Sequence, residues 1–207
     1  EQSTTAARDE DKVDQIWLYR DLGIRYFNQG NYQEAIGELT RVISAHPEDA
    51  MTLDYLARSN YRAGLEAYQR QEYLSAIHLF KKALSYDSSC ADCAESIKSS
   101  QDAYKLLHYE KGVAFANEEN LAQAIAQWRQ VGDLDPHYRN VSARINIACR
   151  RFVRLVEITG EPVDPDIVAF CRQELELAPP AAAGAGTDAG SSRAGMAAGP
   201  PDSGADA

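Results

Sequence analysis

The fold is decided by residues 19–47, which read YRDLGIRYFNQGNYQEAIGELTRVISAHP. Apolar residues recur here at steps of three and four, which is the period of an amphipathic helix, and no alternating strand pattern is present. Gly23 and Ala35 place small residues where two antiparallel helices would have to approach closely. The stretch therefore predicts a pair of closely packed antiparallel helices.

The same arrangement recurs twice further along the chain. Gly64 and Ala76 take the two small positions in the second copy, and Gly112 and Ala124 take them in the third. We expect the small residues of each pair to face each other and the large ones to fill the gap to the next unit. The large residues that repeat with them are Tyr32, Leu39 and Val42, then Tyr73 and Phe80, then Phe115, Leu121, Trp128 and Val131.

An internal repeat of this kind resembles the tetratricopeptide repeat family, over roughly residues 16–136. The resemblance implies an all-α, right-handed superhelical solenoid of three helix-turn-helix units that binds other proteins without catalysis. The spacing of the three units exceeds the ~34 residues of the family by roughly two and then four helical turns. We therefore predict elongated first helices, one of them from about Cys90 to Asn117 with a capping box at residues 89–92.

The folded domain is predicted to span residues 15–177. Residues 1–14 are polar and unpatterned, and residues 178–207 contain eleven Ala, six Gly and four Pro, so both are predicted to be disordered. Inside the domain, the three units are expected at about 16–49, 57–90 and 105–138, followed by two capping helices at about 139–158 and 164–177.

Composition and motifs exclude several classes of function. The formal charge of −10 opposes binding to nucleic acid, and no apolar run approaches the roughly 20 residues of a membrane span. The four histidines fall at unrelated repeat positions, and no phosphate-binding loop or catalytic signature occurs. We predict a protein that is not an enzyme and that has no cofactor and no metal.

The family resemblance also places a binding groove on the first helix of each unit. Carried onto this chain, the groove is mostly apolar and aromatic and suits an amphipathic helix or an apolar extended segment of a partner protein. The clamp that co-chaperones of the family close on a terminal carboxylate does not fit, because only Arg20 matches it and Glu110 would repel the anion. Two readings stay open: the groove binds a partner, or the chain's own last helix or N-terminal segment covers it. The groove residues are Trp17, Arg20, Ile24, Phe27, Arg58, Tyr61, Leu65, Tyr68, Leu106, Tyr109 and Val113.

The four cysteines allow a redox or structural role. Cys90 and Cys93 lie at a predicted helix start, where amide dipoles favour a thiolate, but no βαβ pattern precedes them. Packing thiols or one structural disulfide are therefore the favoured interpretation, and a thiol-active periplasmic helper is a second hypothesis. A zinc site is not expected, because a second pair of ligands at the right spacing is missing. A bridge between Cys149 and Cys171 would fasten the last two helices of an exported protein.

The helix after the third unit carries a basic strip. The strip could dock to an acidic partner or to an anionic membrane surface, or it could be an ordinary solvated helix face. Self-association of the solenoid is a further hypothesis. The cellular location of the chain is expected only from its resemblance to known proteins. The units resemble those of bacterial envelope-associated members, which implies a component of secretion, pilus, flagellar or cell-wall machinery, with the cytoplasm as the alternative location. Because Glu1 rather than Met opens the sequence, we expect that any targeting segment has been removed. The basic strip is formed by Arg144, Arg150, Arg151 and Arg154.

Overall fold

The computed structural model describes residues 2–160 and 163–177, with side chains described from residue 15 to residue 176 within those ranges. Every secondary-structure element in these ranges is an α-helix, which confirms the all-α prediction. The tail at 178–207 lies outside the described residues. The helices are α1 (Gln2–Asn28), α2 (Tyr32–Ala45), α3 (Ala50–Gln69), α4 (Tyr73–Tyr86), α5 (Ala91–Asn117), α6 (Leu121–Leu134), α7 (Val141–Thr159) and α8 (Pro165–Leu177).

Helices adjacent in sequence pack against each other along the whole chain. The pairs α1–α2, α3–α4 and α5–α6 form the three helix-turn-helix units, and each second helix also packs on the first helix of the next unit. Each element therefore contacts mainly its neighbours in sequence, as in a solenoid. The predicted repeat architecture is confirmed.

A glycine in each unit sets how closely its two helices approach. A Cβ built on Gly23 would lie 2.6 Å from Leu39 Cγ, and one on Gly64 would lie 2.7 Å from Phe80 Cε1. A Cβ on Gly112 would lie 2.5 Å from Trp128 Cδ1. The expectation that large residues fill the gap to the next unit needs correcting, because these three side chains occupy the space over the glycine of their own unit.

The first helix of each unit is elongated, as predicted. The three second helices have 14 residues each, whereas α3 has 20 and α1 and α5 have 27. The backbone of α1 begins at Gln2, within the residues predicted as an N-terminal extension. Residues 2–14 contain no Gly or Pro, so nothing in the sequence interrupts the helix there.

The start of α5 differs from the predicted capping box. Cys90 is the N-cap and forms no side-chain cap hydrogen bond. The Ser89 hydroxyl instead donates to Asp87 Oδ1 at 2.6 Å, and the Ser89 backbone N–H donates to the same oxygen at 2.9 Å. Ser89 therefore belongs to the preceding turn, and the Cys90–Cys93 disulfide lies at the first turn of α5.

The two C-terminal helices continue the core of the third unit. Trp128, Val131, Ile145 and Phe152 belong to one buried cluster that runs from α5 to α8. The buried Cys149–Cys171 disulfide joins α7 to α8 with a Cα–Cα distance of 4.9 Å. The third unit is therefore closed by the chain itself, and the two predicted capping helices are confirmed.

Candidate functional site

Two adjoining cavities run along α3 where it faces α5. One has a volume of about 340 Å³ and the other about 240 Å³, and both are lined by Tyr61 and Asp92. We call the surface that these cavities share the α3–α5 groove. Its walls are formed by Phe27, Ala57, Arg58, Tyr61, Arg62, Leu65, Tyr68, Phe80, Asp87, Cys90, Ala91, Asp92, Glu95, Ser96 and Ser99.

The wall of the groove on α3 is apolar and aromatic. Tyr61, Leu65 and Tyr68 are spaced at i, i+4 and i+7, so they lie on one face of the helix. The Tyr61 ring packs 5.6 Å from the Phe80 ring, measured between centroids, and the Tyr68 ring meets Tyr73 edge-on at 5.4 Å. Phe80 is buried, while Tyr61 and Leu65 are partly exposed and Tyr68 is 37% exposed. The structure therefore places these three predicted groove residues together with accessible faces, and the predicted Phe27 and Arg58 line the same groove.

The opposite wall is polar and acidic, and sequence reasoning missed it. Asp92, Glu95 and Ser99 are exposed on the first turns of α5, and Ser96 is half-buried between them. Within the described residues, neither Asp92 nor Glu95 forms an ion pair with a basic side chain. These turns are the insertion that elongates α5, so they have no counterpart among the positions carried over from the family. The length of the insertion was the sequence feature that could have indicated this additional wall.

The smaller cavity combines charges of both signs. Arg58 lies 3.3 Å from Asp54 Oδ2 and stacks over the Phe27 ring at 4.7 Å, so its charge is already engaged within the protein. Arg62 is exposed at the edge of the cavity. The hydrogen bond from the Ser89 hydroxyl lowers the pKa of Asp87, which keeps this lining residue a carboxylate.

Three of the four predicted groove residues in the first unit lie elsewhere, and only Phe27 lines the α3–α5 groove. Trp17 stacks on His46 with centroids 4.9 Å apart, and Arg20 lies 4.4 Å from the Trp17 centroid and 3.6 Å from Asp49. These residues pack α1 against the turn between α2 and α3. Ile24 lines a separate surface depression on α1. Trp17, Arg20 and Ile24 are therefore not part of the α3–α5 groove.

The third unit does not contribute its predicted tyrosine to a binding surface. Tyr109 is only 7% exposed, and its hydroxyl donates to Asn140 Oδ1 at 2.5 Å and accepts from Arg144 Nε at 2.9 Å. Val113 packs against the same core, while Leu106 is 37% exposed. The prediction of Tyr109 as a groove residue is wrong, because the C-terminal part of the chain covers it. In the third unit the chain therefore covers its own predicted groove position, whereas the α3–α5 groove is open.

The predicted basic strip divides into two parts. Arg144 is held by Tyr109 and by Asn140 Oδ1 at 3.1 Å, so it is a packing residue rather than part of a docking strip. Arg150, Arg151 and Arg154 are exposed on α7. The strip available to a ligand is therefore formed by these three arginines.

All four cysteines are paired. Cys90 joins Cys93 and Cys149 joins Cys171, with Cα–Cα distances of 5.4 and 4.9 Å. Cys93, Cys149 and Cys171 are fully buried, while Cys90 is half-buried and lines the groove. Across the part of the chain that the structure describes, no group of His, Cys, Asp and Glu is placed to hold a metal ion. None of the described helices is long and apolar enough to cross a lipid bilayer.

Comparison with known proteins gives a family match over part of the chain. A model of the tetratricopeptide repeat matches residues 20–65. No curated protein matches significantly. Among solved structures, MamA residues 41 to the end from Desulfovibrio magneticus RS-1 is 17% identical with a TM-score of 0.28, covering 79% of this chain and 92% of that one. MamA AMB-1 is 16% identical with a TM-score of 0.28, covering 81% and 96%. These two similarities are too distant to bear on function.

Three stacked helical pairs, each with a glycine at its close approach, define a helical-repeat protein. Residues 20–65 match the tetratricopeptide repeat, and the same packing of helical pairs recurs in the next two units, so the chain is built from repeats of the tetratricopeptide type. Repeat proteins of this type present extended surfaces that bind other proteins. The repeats therefore support an interaction scaffold as the general class of function.

Proposed function

We propose that this protein is an adaptor whose α3–α5 groove binds a segment of another polypeptide carrying both apolar and cationic side chains. The notion of an apolar or amphipathic partner segment comes from the sequence. The requirement for a cation comes from the acidic wall on α5, which faces the aromatic wall on α3.

One observation carries the proposal: the same cavity is lined by accessible aromatic side chains and by carboxylates that form no ion pair with any described residue. A lysine or arginine of the partner has an apolar stem that fits against Tyr61 and Leu65. Its charged head would then reach Asp92 and Glu95, which have no ion-pair partner among the described residues. Rings that lie beside a cation add a favourable interaction of their own.

The arrangement of the anchors suits an elongated ligand. Tyr61 and Tyr68 are seven residues apart on α3, a rise of about 10 Å along the helix axis. A partner segment of about two helical turns would cover this distance with side chains at i, i+3 or i+4. Aromatic anchors of this type commonly dominate the energy of an interface.

The test is selection from a random peptide library on the full-length, oxidised protein, followed by affinity measurement on variants. The proposal expects selected peptides to combine Lys or Arg with apolar residues. Tyr61→Ala should weaken their binding by roughly 30-fold, the usual effect of losing a hot-spot tyrosine. Tyr19→Ala is the matched control, because Tyr19 lies against Arg41 on α2 and does not line the groove.

A second variant separates the two walls. Asp92→Asn with Glu95→Gln keeps the size of both side chains and removes only their charge. This double variant should bind cationic peptides more weakly than the wild type does. Its affinity for a peptide whose Lys or Arg is replaced by Gln should be unchanged. Selection of acidic peptides, or equal affinities for Tyr61→Ala and Tyr19→Ala, would refute the proposed groove.

We further propose an oxidising compartment, and within it a role in a bacterial envelope assembly. The pairing of all four cysteines supports the first part, since disulfides persist in exported proteins and are rare in the reducing cytosol. The second part depends on the resemblance to envelope-associated members of the family. Thiol labelling of the protein in intact cells tests the compartment: labelled cysteines before reduction would contradict it.

The thiol-active role for Cys90 and Cys93 stays a prediction, as does self-association. Cys90 lines the groove, so a partner's thiolate that entered there would be near the disulfide. Replacing both cysteines by Ser should leave peptide affinity within a few-fold if the groove acts as a scaffold. Loss of partner assembly with unchanged peptide affinity would favour thiol chemistry instead.

A further inference from the structure

The exposed side of α7 carries aliphatic and cationic side chains together. The three aliphatic side chains on it are 61%, 50% and 72% exposed, and the three arginines are exposed as well. At 100° per residue, four of the six lie within an arc of about 60° and the other two flank it. This surface, called the α7 face below, consists of Ile147, Arg150, Arg151, Arg154, Leu155 and Ile158.

The arginines of the α7 face are available to a ligand. None of them forms an ion pair with an acidic side chain in the described part of the chain. Arg150 donates to Asn146 Oδ1 at 2.9 Å, a neutral partner on the same helix. Their positive charge is therefore not neutralised by an acidic side chain in the part of the chain that the structure describes.

The opposite side of α7 is fixed in the core, so the exposed aliphatic residues cannot rotate inwards. Ile145 and Phe152 are buried in the cluster that joins α5 to α8. Cys149, on the same buried side, is bonded to Cys171 of α8. Among the described residues, no side chain covers the α7 face, and α7 cannot turn it towards the core.

We propose that the α7 face docks on an anionic lipid surface. Guanidinium groups would meet lipid phosphates while the tips of Ile147, Leu155 and Ile158 enter the headgroup boundary, as in interfacial amphipathic helices. A single helix presents a convex surface with its two kinds of side chain interleaved. A fluid bilayer accommodates such a surface without matching pockets, whereas a folded acidic protein would need both fixed acids and fixed apolar sites.

The charge of the whole chain favours one orientation on such a surface. The formal charge is −10, so an anionic bilayer repels most of the protein and attracts the arginine-bearing side of α7. This docking is independent of the α3–α5 groove, and either could fail without the other. The lipid contact would be peripheral.

The test is flotation of the full-length, oxidised protein with vesicles of phosphatidylcholine, with and without phosphatidylglycerol. Arg150→Gln, Arg151→Gln and Arg154→Gln together should lower partitioning onto the anionic vesicles by roughly 100-fold, because each arginine near the surface contributes about fivefold. The matched control is a triple Lys→Gln variant with the same change in net charge, made at the exposed Lys81, Lys82 and Lys98 on α4 and α5. It should float like the wild type, whereas no variant should bind neutral vesicles.

A second variant tests the aliphatic contribution. Ile147→Ser with Ile158→Ser leaves the charge unchanged and should also weaken binding, and circular dichroism checks that both sets of variants remain folded. The proposal is overturned if the wild type does not float with anionic vesicles, or if the arginine and lysine variants lose binding equally. Sedimentation of the same variants identifies the other occupant: self-association lost only in the arginine variant, with no lipid binding, would assign the α7 face to a second copy.

Discussion

Replacing Gly112 by Ala tests the close approach of α5 and α6 at this residue. The added Cβ would lie 2.5 Å from Trp128 Cδ1, well inside van der Waals contact. Trp128 is 3% exposed and its Nε1 donates to the Tyr109 carbonyl at 3.2 Å, so the rigid ring has little room to move. The substitution should therefore force the two helices apart or rotate the indole.

The expected size follows from three contributions. Ala is favoured over Gly within a helix by about 1 kcal/mol. Overpacking of a filled core costs about 1–3 kcal/mol, and weakening of the indole hydrogen bond costs about 1 kcal/mol more. The net destabilisation of Gly112→Ala is then about 2 kcal/mol.

Gly37→Ala is the matched control, because Gly37 lies within α2 and a Cβ there would meet no atom within 4 Å. It should stabilise the protein by about 1 kcal/mol, so the two variants should differ by about 3 kcal/mol. The assay is urea denaturation followed by circular dichroism, with both disulfides intact and the slope m compared between variants. If Gly112→Ala were as stable as Gly37→Ala, the packing described for the units would be wrong.

Three further stability predictions follow from other contacts. Asp49→Ala removes the N-cap of α3 and should cost about 1 kcal/mol by urea denaturation. Hydrogen bonding from the Thr52 side chain lowers the Asp49 pKa from its usual 3.8. The stabilisation from Asp49 is therefore present above about pH 4 and fades as the pH falls through the lowered pKa. A difference in stability between Asp49→Ala and the wild type that persisted in strong acid would contradict this prediction. Cys149→Ser with Cys171→Ser should cost about 3 kcal/mol, and an unchanged urea midpoint would show that the bridge is not structural. Arg144→Gln should cost about 1–2 kcal/mol through its lost hydrogen bonds, whereas an exposed docking arginine would cost almost nothing.

Repetition made the architecture predictable from the sequence. Gly23, Gly64 and Gly112 mark the same position in three units, and one interpretation had to satisfy all three. The length of the insertions, close to whole helical turns, also predicted elongated first helices. Which side chain lies over each glycine was not predictable, because it depends on the crossing of the two helices rather than on the period of either.

The candidate site was only partly predictable for a related reason. Tyr61, Leu65 and Tyr68 follow from the family's groove positions, and the structure places them together. Asp92 and Glu95 lie on inserted turns that have no equivalent in the family. Tyr109 occupies a groove position in the pattern, but long-range packing by the C-terminal helices buries it, and a local pattern carries no information about such packing.

Photo-crosslinking with a selected cationic, apolar peptide shows directly whether the α3–α5 groove is the binding site. Benzoylphenylalanine placed at Leu65 lies in the α3–α5 groove, while the same residue at Leu18, which is 66% exposed on α1, serves as the control. Binding in the groove should give a crosslink from position 65 that excess unlabelled peptide abolishes, and none from position 18. Equal crosslinking from both positions, or crosslinking from position 18 alone, would contradict it.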